Sequence, residues 1–438
     1  MKCLILAAGR GSRLRQRADS KPLLPLLGVP LIERSIRAAQ AAGADRFVVV
    51  TGHAAPAVEA FLATLARRLG VTIDTVRNPH WATTENGRSV LAARRLMGDE
   101  PFLLTMADHL VSVELIRRLL DQAPPDAELT LAVDQDKDNP LVDLDDVTRV
   151  RWQAGRIQAI GKGLEPYDGF DTGVFLATPA LFDALERAEA RGEGTTLSAA
   201  VAELARRGSA RVVPVTGAFW CDVDDDQALA RAERALLRQA GGKGADGPVA
   251  RWLNRPLSIR LSRHLVRWPI TPNQISLASF LLSVVAAGLF MAGGYPALAA
   301  GGVLAQLASI IDGCDGEVAR LKFLGSDYGG WFDAVLDRYA DALLLFGLTW
   351  HLHHAGGGDP ALLAGFGAII GSFMVSYTAD KYDGLMRHKG GGRFRIGRDL
   401  RVFILFLGAL SNQVMAVLVL IALVMNLETL RRLVICRR

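Results

Sequence analysis

The stretch Asp312-Gly-Cys-Asp315-Gly316-Glu-Val-Ala319-Arg320, followed after eight residues by Gly329, Asp333 and Asp337, lies between long apolar runs. Carboxylates at membrane depth are costly to bury and mark functional sites. On a helix, Asp312 and Asp315 are three apart and share a face. Asp333 and Asp337 are four apart and share a face of the next helix. Two such pairs facing one another form an oxygen cage for a hard divalent cation, Mg²⁺ or Mn²⁺. The competing reading is a chance acidic cluster on solvated helices, and the apolar flanks argue against it.

The 438-residue chain is long enough for two or three domains. Its net charge of +5 is modest, and no nucleic-acid partner is expected. The four cysteines, Cys3, Cys221, Cys314 and Cys436, form no C-x-x-C pair, so a reducing cytosolic face is expected rather than a disulfide framework. The apolar start is too short for the core of a signal peptide and reads as a first buried strand. Residues 1–238 alternate strand-like apolar runs with amphipathic helices, the pattern of an α/β domain. Residues 239–269 hold a Gly-rich linker and a juxtamembrane segment. Within it, Trp252 to Trp268 reads as a basic amphipathic helix on the membrane surface, or as a linker helix packed on the soluble domain.

Residues 270–438 carry apolar stretches at roughly 274–292, 295–311, 331–350, 361–379, 396–411 and 413–430, each near the ~20 residues that a bilayer span needs, the fifth being short. Six transmembrane helices are therefore expected. Arginines precede the first stretch. Arg320 and Lys322 separate the second from the third, Lys381 to Arg401 the fourth from the fifth, and four arginines lie beyond the sixth. The opposite connections contain no Lys or Arg. The positive-inside rule predicts a multi-pass protein of the cell membrane with both termini and the aspartates on the cytoplasmic side. His351, His353 and His354 fall on the other side and read as an interfacial cluster.

The aspartate stretch, D-x2-D-G-x2-A-R-x8-G-x3-D-x3-D, resembles the signature of CDP-alcohol phosphotransferases at every specified position. The resemblance implies that Asp312, Asp315, Asp333 and Asp337 hold one or two metal ions on a CDP diphosphate. It further implies that Gly316 lets the backbone approach the nucleotide and that Arg320 neutralises a phosphate. Asp337 would be the base for the acceptor hydroxyl or a pure metal ligand. Lys381, Arg398 and Arg401 would take the acceptor phosphate, or else serve topology and lipid headgroups. Asp341, one turn beyond Asp337, reads as a helix-face acid outside the metal shell.

The N-terminal segment Leu4-Ile-Leu-Ala7-Ala8-Gly9-Arg-Gly11-Ser-Arg13 is a strand running into a Gly-rich loop whose N–H groups suit phosphate oxygens. With Lys21-Pro-Leu-Leu-Pro-Leu-Leu-Gly28 it resembles the nucleotidyltransferase pattern of sugar-nucleotide pyrophosphorylases, which implies a Rossmann-like fold. Ser20 stands where that family usually has proline. On this resemblance Ala7, Ala8, Gly9, Gly11 and Arg13 bind nucleotide, and Lys21 is catalytic on the triphosphate. Asp108 binds metal together with Asp222 or Asp224, the first preferred. Lys162, Asp171 and Gly173 hold a polyol phosphate, and Asn86 and Ser89 read the base.

The order of both halves is similar to that of bifunctional inositol-1-phosphate cytidylyltransferase / di-myo-inositol phosphate phosphate synthases. This implies a Rossmann-like α/β nucleotidyltransferase domain followed by an all-α membrane domain. CTP and inositol 1-phosphate would give CDP-inositol, which a second inositol 1-phosphate would consume with release of CMP. Membrane lipid and a homodimer through the membrane helices are further implied partners. The alternative is a phosphotransferase acting on CDP-diacylglycerol or another CDP-alcohol, with an inactive or regulatory N-terminal domain.

Overall fold

A computed structural model describes residues 1–14, 16–242, 247–379, 382, 384 and 397–437. The chain divides into two compact units, Met1–Ala235 and Leu236–Arg438.

The first unit is built on a nine-stranded sheet. Its strands in chain order are β1 (Lys2–Ala7), β2 (Arg46–Thr51), β3 (Thr72–Arg77), β4 (Phe102–Met106), β5 (Leu129–Asp134), β6 (Thr148–Gln153), β7 (Arg156–Lys162), β8 (Gly169–Ala177) and β9 (Ala210–Pro214). Their order across the sheet is β3-β2-β1-β4-β8-β5-β9-β7-β6. The first four are parallel, and β8 runs antiparallel to both β4 and β5. The central strands are continuous apolar runs because helices cover both faces. In β1 the period of two sorts them: Leu4 and Leu6 enter one core, Cys3, Ile5 and Ala7 the other. The helices Leu31–Ala41, Ala55–Leu69 and Val113–Gln122 close the second face with Ile36, Leu62 and Leu119. Ala180–Ala190 and Leu197–Arg206 close the first with Phe182 and Leu204. Each such side chain contributes about 1.5–3 kcal/mol by leaving water.

The second unit is helical. Its helices are α1 (Arg255–Leu265), α2 (Pro272–Met291), α3 (Tyr295–Lys322), α4 (Asp327–Leu352), α5 (Gly358–Tyr377), α6 (Arg398–Leu410) and α7 (Val414–Arg437). Thr271 and Gln274 form a reciprocal capping box that starts α2, with Pro272 in the first turn. Ser326 starts α4 by accepting the Gly329 N–H at 3.0 Å. Gly347 lets α4 lie directly on α2, since a Cβ there would fall 2.8 Å from the Ala287 carbonyl oxygen.

Among the described residues four stretches are long and apolar enough to cross a membrane: Pro272–Met291, Tyr295–Lys322, Asp327–Tyr377 and Val414–Cys436. This corrects the expectation of six. The third stretch spans 51 residues and contains two expected spans, α4 and α5, separated by a turn in which Gly356 has φ 96°. The stretch expected at 396–411 forms α6, whose 13 residues reach only about 20 Å. Its first turn is occupied by Arg398, Asp399 and Arg401.

Helix α1 buries a stripe at four-residue spacing, Asn254, Ser258, Ser262 and Val266, against α3. The stripe is mostly polar because it meets a buried acid. Glu317 on α3 accepts from Arg255 Nη1 at 3.0 Å, Ser258 Oγ at 2.6 Å and Ser262 Oγ at 2.7 Å. Trp252, Trp268, Arg260 and Arg267 face outward.

Candidate active sites

The first site forms at the carboxyl edge of β1 and β4, where an open parallel sheet leaves a crevice. Strand β1 ends at Ala7 and delivers the loop Gly9–Arg13, while β4 ends just before Ala107 and Asp108. Gly11 has φ +61°, and a Cβ there would lie 2.5 Å from Lys21 Cβ, so glycine lets the loop close over the lysine. Lys21 is buried, and its Nζ donates to Asp108 Oδ2 at 2.7 Å and to Asp224 Oδ1.

A short strand pair brings in the remaining acid. Trp220–Asp222 runs antiparallel to His109–Val111 and sets Asp222 opposite His109. Ligand atoms of Asp108, His109 and Asp222 then lie within 4.8 Å of one another. Among the described residues Asp222 Oδ1 is buried without a hydrogen-bond partner, an orphaned oxygen of the kind a cation satisfies.

The charges of this cluster are interdependent. Burial opposes charge on Lys21, yet Asp108, Asp222 and Asp224 outweigh it and hold the ammonium above the usual lysine range. Burial likewise opposes ionisation of Asp108, but Lys21 and His109 bring it below the usual carboxylate range. Asp222 is pushed up to about 7 by burial, with Asp108 and Asp224 adding to it against His109. His109 is raised to about 9 by Asp222 and Asp108 despite its burial.

A cavity of about 330 Å³ lies over Lys21, lined by Ala7, Gly9, Gly11, Arg13, Asp108 and Lys162 among others. A second, of about 160 Å³, shares Asp146 and Asp224 with it and is lined by His109, Asp171, Gly173 and Asp222. Asp146 pairs with both Arg13, at 3.0 Å, and Lys162. Asp171 accepts the Gly173 N–H at 2.7 Å and is pushed up to about 6 by burial, against that amide and the His109 charge. Gly173 has φ +74° and packs directly on the His109 ring.

Three expected nucleotide ligands do not line these cavities. The Ala8 carbonyl accepts the His53 N–H at 3.0 Å. Asn86 Oδ1 accepts the Leu197 N–H at 2.8 Å, and buried Ser89 Oγ accepts from Asn78 Nδ2 at 3.0 Å. Their polar groups join scaffold elements: Glu85 Oε2 also takes the Thr195 N–H at 2.6 Å. Sequence reasoning misses Asp146 and His109. The histidine follows Asp108 directly, but its role appears only in the strand pair.

The second site lies wholly within the helical unit. Asp312 and Asp315 from α3 and Asp333 from α4 bring carboxylate oxygens within 4.8 Å of one another. Serines of α2 brace them: Ser276 Oγ donates to Asp315 Oδ2 at 2.6 Å, and Ser279 Oγ to Asp312 Oδ1 at 3.0 Å. Asp333 Oδ1 is buried and has no hydrogen-bond partner among the described residues. Three carboxylates, one of them with an orphaned oxygen, fit a divalent cation. Asp337 stands outside this trio and meets Arg398, whose Nη1 is 2.6 Å from Asp337 Oδ1 and 2.8 Å from Asp312 Oδ2.

A cavity of about 560 Å³ opens over these groups, lined by Asp312, Asp315, Gly316, Asp333, Asp337, Arg398 and Arg401 among others. The Gly316 N–H donates to Asp315. Arg320, expected at a phosphate, is exposed and does not line the cavity; its Nε donates to the Ala240 carbonyl at 2.7 Å. Lys381 lies outside the described residues. Asp341 is no outlying helix-face acid: it is buried and holds Arg398 and Arg401. His351, His353 and His354 each place Nδ1 3.0–3.3 Å from a backbone carbonyl, a structural use.

Two carboxylate clusters, one under a Gly-rich loop and one between membrane-type helices, define a two-part transferase. Residues 3–204 match the MobA-like NTP transferase domain and residues 269–427 the CDP-alcohol phosphatidyltransferase family. The chain is 39% identical to the bifunctional IPC transferase and DIPP synthase of Rubrobacter xylanophilus, over 99% of this chain and 96% of that protein. It is 34% identical to the protein of the same name from Aquifex aeolicus, over 98% and 96%. The Archaeoglobus fulgidus protein of that name is 33% identical, over 94% and 79%. The chain belongs to the family of bifunctional IPC transferases and DIPP synthases, and its C-terminal half is a membrane domain.

Proposed function

We propose that the chain joins CTP and inositol 1-phosphate to give CDP-inositol and pyrophosphate. It then transfers the inositol phosphoryl group to a second inositol 1-phosphate. In the first step an oxygen of the substrate phosphate attacks the α-phosphorus of CTP, and the bond to pyrophosphate breaks. In the second, the acceptor hydroxyl attacks the inositol-bearing phosphorus of CDP-inositol. The P–O–P bridge breaks, CMP leaves, and di-myo-inositol phosphate phosphate forms.

The observation that carries this reading is the presence, in one chain, of two separate carboxylate clusters. Each has an orphaned buried oxygen, and each adjoins a cavity lined by cations. Asp108 and Asp222 would hold a divalent ion in the first site, and Asp312, Asp315 and Asp333 in the second. Bound Mg²⁺ would supply charge neutralisation on the diphosphate oxygens. Lys21, kept charged by its three carboxylates, holds the α-phosphate. The Gly9–Arg13 loop and Lys162 position the two phosphates, with Asp171 and Gly173 beside the polyol. Catalysis of this kind is mainly positioning and charge stabilisation.

In the second site Asp337 lies outside the carboxylate trio, which suits it to accept the acceptor hydroxyl's proton. Arg398 and Arg401 take the acceptor phosphate. The basic residues before α2, between α3 and α4, and at the start of α6 favour a cytoplasmic position for this cavity and both termini.

A phosphorus NMR time course on the full chain in detergent, given CTP, Mg²⁺ and inositol 1-phosphate, tests the whole scheme. Pyrophosphate and CDP-inositol should appear first, then CMP and a new phosphodiester. Unchanged CTP, with CMP released only when CDP-inositol is supplied, would refute the first half. No CMP from CDP-inositol plus inositol 1-phosphate would refute the second.

A further inference from the structure

Three aspartates follow one another along α4 at four-residue spacing, Asp333, Asp337 and Asp341. They drift only slightly around the helix and form a single acidic stripe. The first meets the carboxylate trio and the second meets Arg398. The third lies outside the trio and binds both arginines of α6. Its side chain is 6% exposed and is not part of the cavity wall. A carboxylate so deeply placed needs partners that repay its lost hydration.

Its partners are the two arginines of α6. Asp341 Oδ1 accepts from Arg398 Nε at 3.1 Å, and Oδ2 accepts from Arg401 Nη2 at 2.7 Å. Ser376 Oγ of α5 lies 3.4 Å from the same Arg401 nitrogen. Arg398 and Arg401 are three apart on one helix and would repel one another if left alone. One oxygen to each guanidinium removes that repulsion and fixes both planes. Arg398 is held by Nε, and its Nη1 lies beside Asp312 Oδ2 and Asp337 Oδ1. Arg401 keeps a buried Nε without a partner among the described residues.

We propose that Asp341 is a positioning residue for the acceptor: it sets Arg398 and Arg401 as a paired fork for a phosphate monoester, without touching that ligand. The assignment rests on the reading of this cavity as the acceptor site. An amide could not replace the carboxylate. In Asp341→Asn the side chain would turn an NH2 group toward one of the arginines, and that arginine would lose its bond to residue 341. The bond to the other would persist but lose the attraction of a full negative charge.

The test is equilibrium binding to the full chain in detergent, with inositol 1-phosphate and inorganic phosphate as acceptor probes and CDP as the nucleotide probe. Asp341→Asn should weaken both acceptor probes about tenfold. CDP affinity should stay within about twofold and the thermal midpoint near that of the parent chain. Asp341→Glu, which keeps both oxygens, should recover part of the loss. Unchanged acceptor binding, or equal weakening of CDP and acceptor, would overturn the proposal. Should Asp341→Asn lower the thermal midpoint sharply, Asp341→Glu decides alone. A selective acceptor defect supports positioning, and none overturns it. Turnover of CDP-inositol by the parent chain separately judges the functional reading. Its absence would leave the binding comparison intact.

Discussion

Gly173→Ala is the most exacting perturbation of the first site, because one methyl group should disable one reaction and leave the other untouched. The backbone at Gly173 has φ +74°, where an L side chain costs about 1–2 kcal/mol. The new Cβ would lie 2.2 Å from His109 Cδ2 and 2.5 Å from Nε2, against about 3.4 Å for ordinary contact. The ring must therefore retreat by roughly 1 Å. His109 is hydrogen-bonded to Asp108 at 3.0 Å and lies 3.7 Å from Asp222, so the acids move with it. A misplacement of about 1 Å costs on the order of 10²-fold in rate. CDP-inositol formation from CTP should fall by about that factor, with a stability loss of ~1–3 kcal/mol. CMP release from supplied CDP-inositol should stay at the parent rate. Adding His109→Ala removes the steric clash but not the backbone cost at φ +74°, so it should not restore the first activity. First-step turnover at the parent rate in Gly173→Ala would refute the coupling of this glycine to the acidic cluster.

Lys21→Ala should reduce CTP consumption on the order of 10²–10³-fold, with CMP release from CDP-inositol unchanged in the same preparation. The converse is expected of Asp333→Asn, which should abolish CMP release and spare pyrophosphate formation; loss of both would contradict two independent sites. Glu317→Ala leaves Arg255, Ser258 and Ser262 facing an uncompensated gap, and should lower stability in detergent by roughly 3–5 kcal/mol; an unchanged unfolding midpoint would show that α1 is not held through this acid. Asp171 has a folded-state value near 6, above its unfolded value of about 3.9. The folded chain thus binds a proton that the unfolded chain has lost between those values. The stability this gives is full below about 4, declines as pH rises through 6, and is gone above it. Thermal midpoints from about pH 4 to 7 should show a shallower slope in Asp171→Asn than in the parent.

Much of the second site can be read from the sequence because fixed spacing on helices is itself geometry. Asp312, Asp315 and Asp333 meet as their intervals predict. The first site resists in part because its acids converge through tertiary pairing. Nothing near Asp222 announces that its strand will lie opposite His109, and Asp146 is one of several acids in a loop. Asn86 and Ser89 are small polar residues whose hydrogen bonds to the scaffold, at Leu197 and Asn78, no sequence order announces. The fifth apolar run falls short of a span because hydropathy averages over the charged first turn of α6, where the arginines point inward to the aspartates. Asp341 lies beyond a complete motif and so looks dispensable by spacing, yet that spacing continues the same face.

The cation that answers the acidic stripe arrives late. Arg398 lies 57 residues downstream of Asp341. A chain emerges from its amino end, so α3 and α4 reach the bilayer before Arg398 and Arg401 have been made. Each central aspartate then faces an insertion cost of about 2.5–3.5 kcal/mol. Ser276 and Ser279 on α2, already synthesised, are the first donors available to them. The hairpin of α6 and α7 is thus a closing piece of assembly: until it enters, Asp341 lacks the two arginines that hold it in the finished bundle.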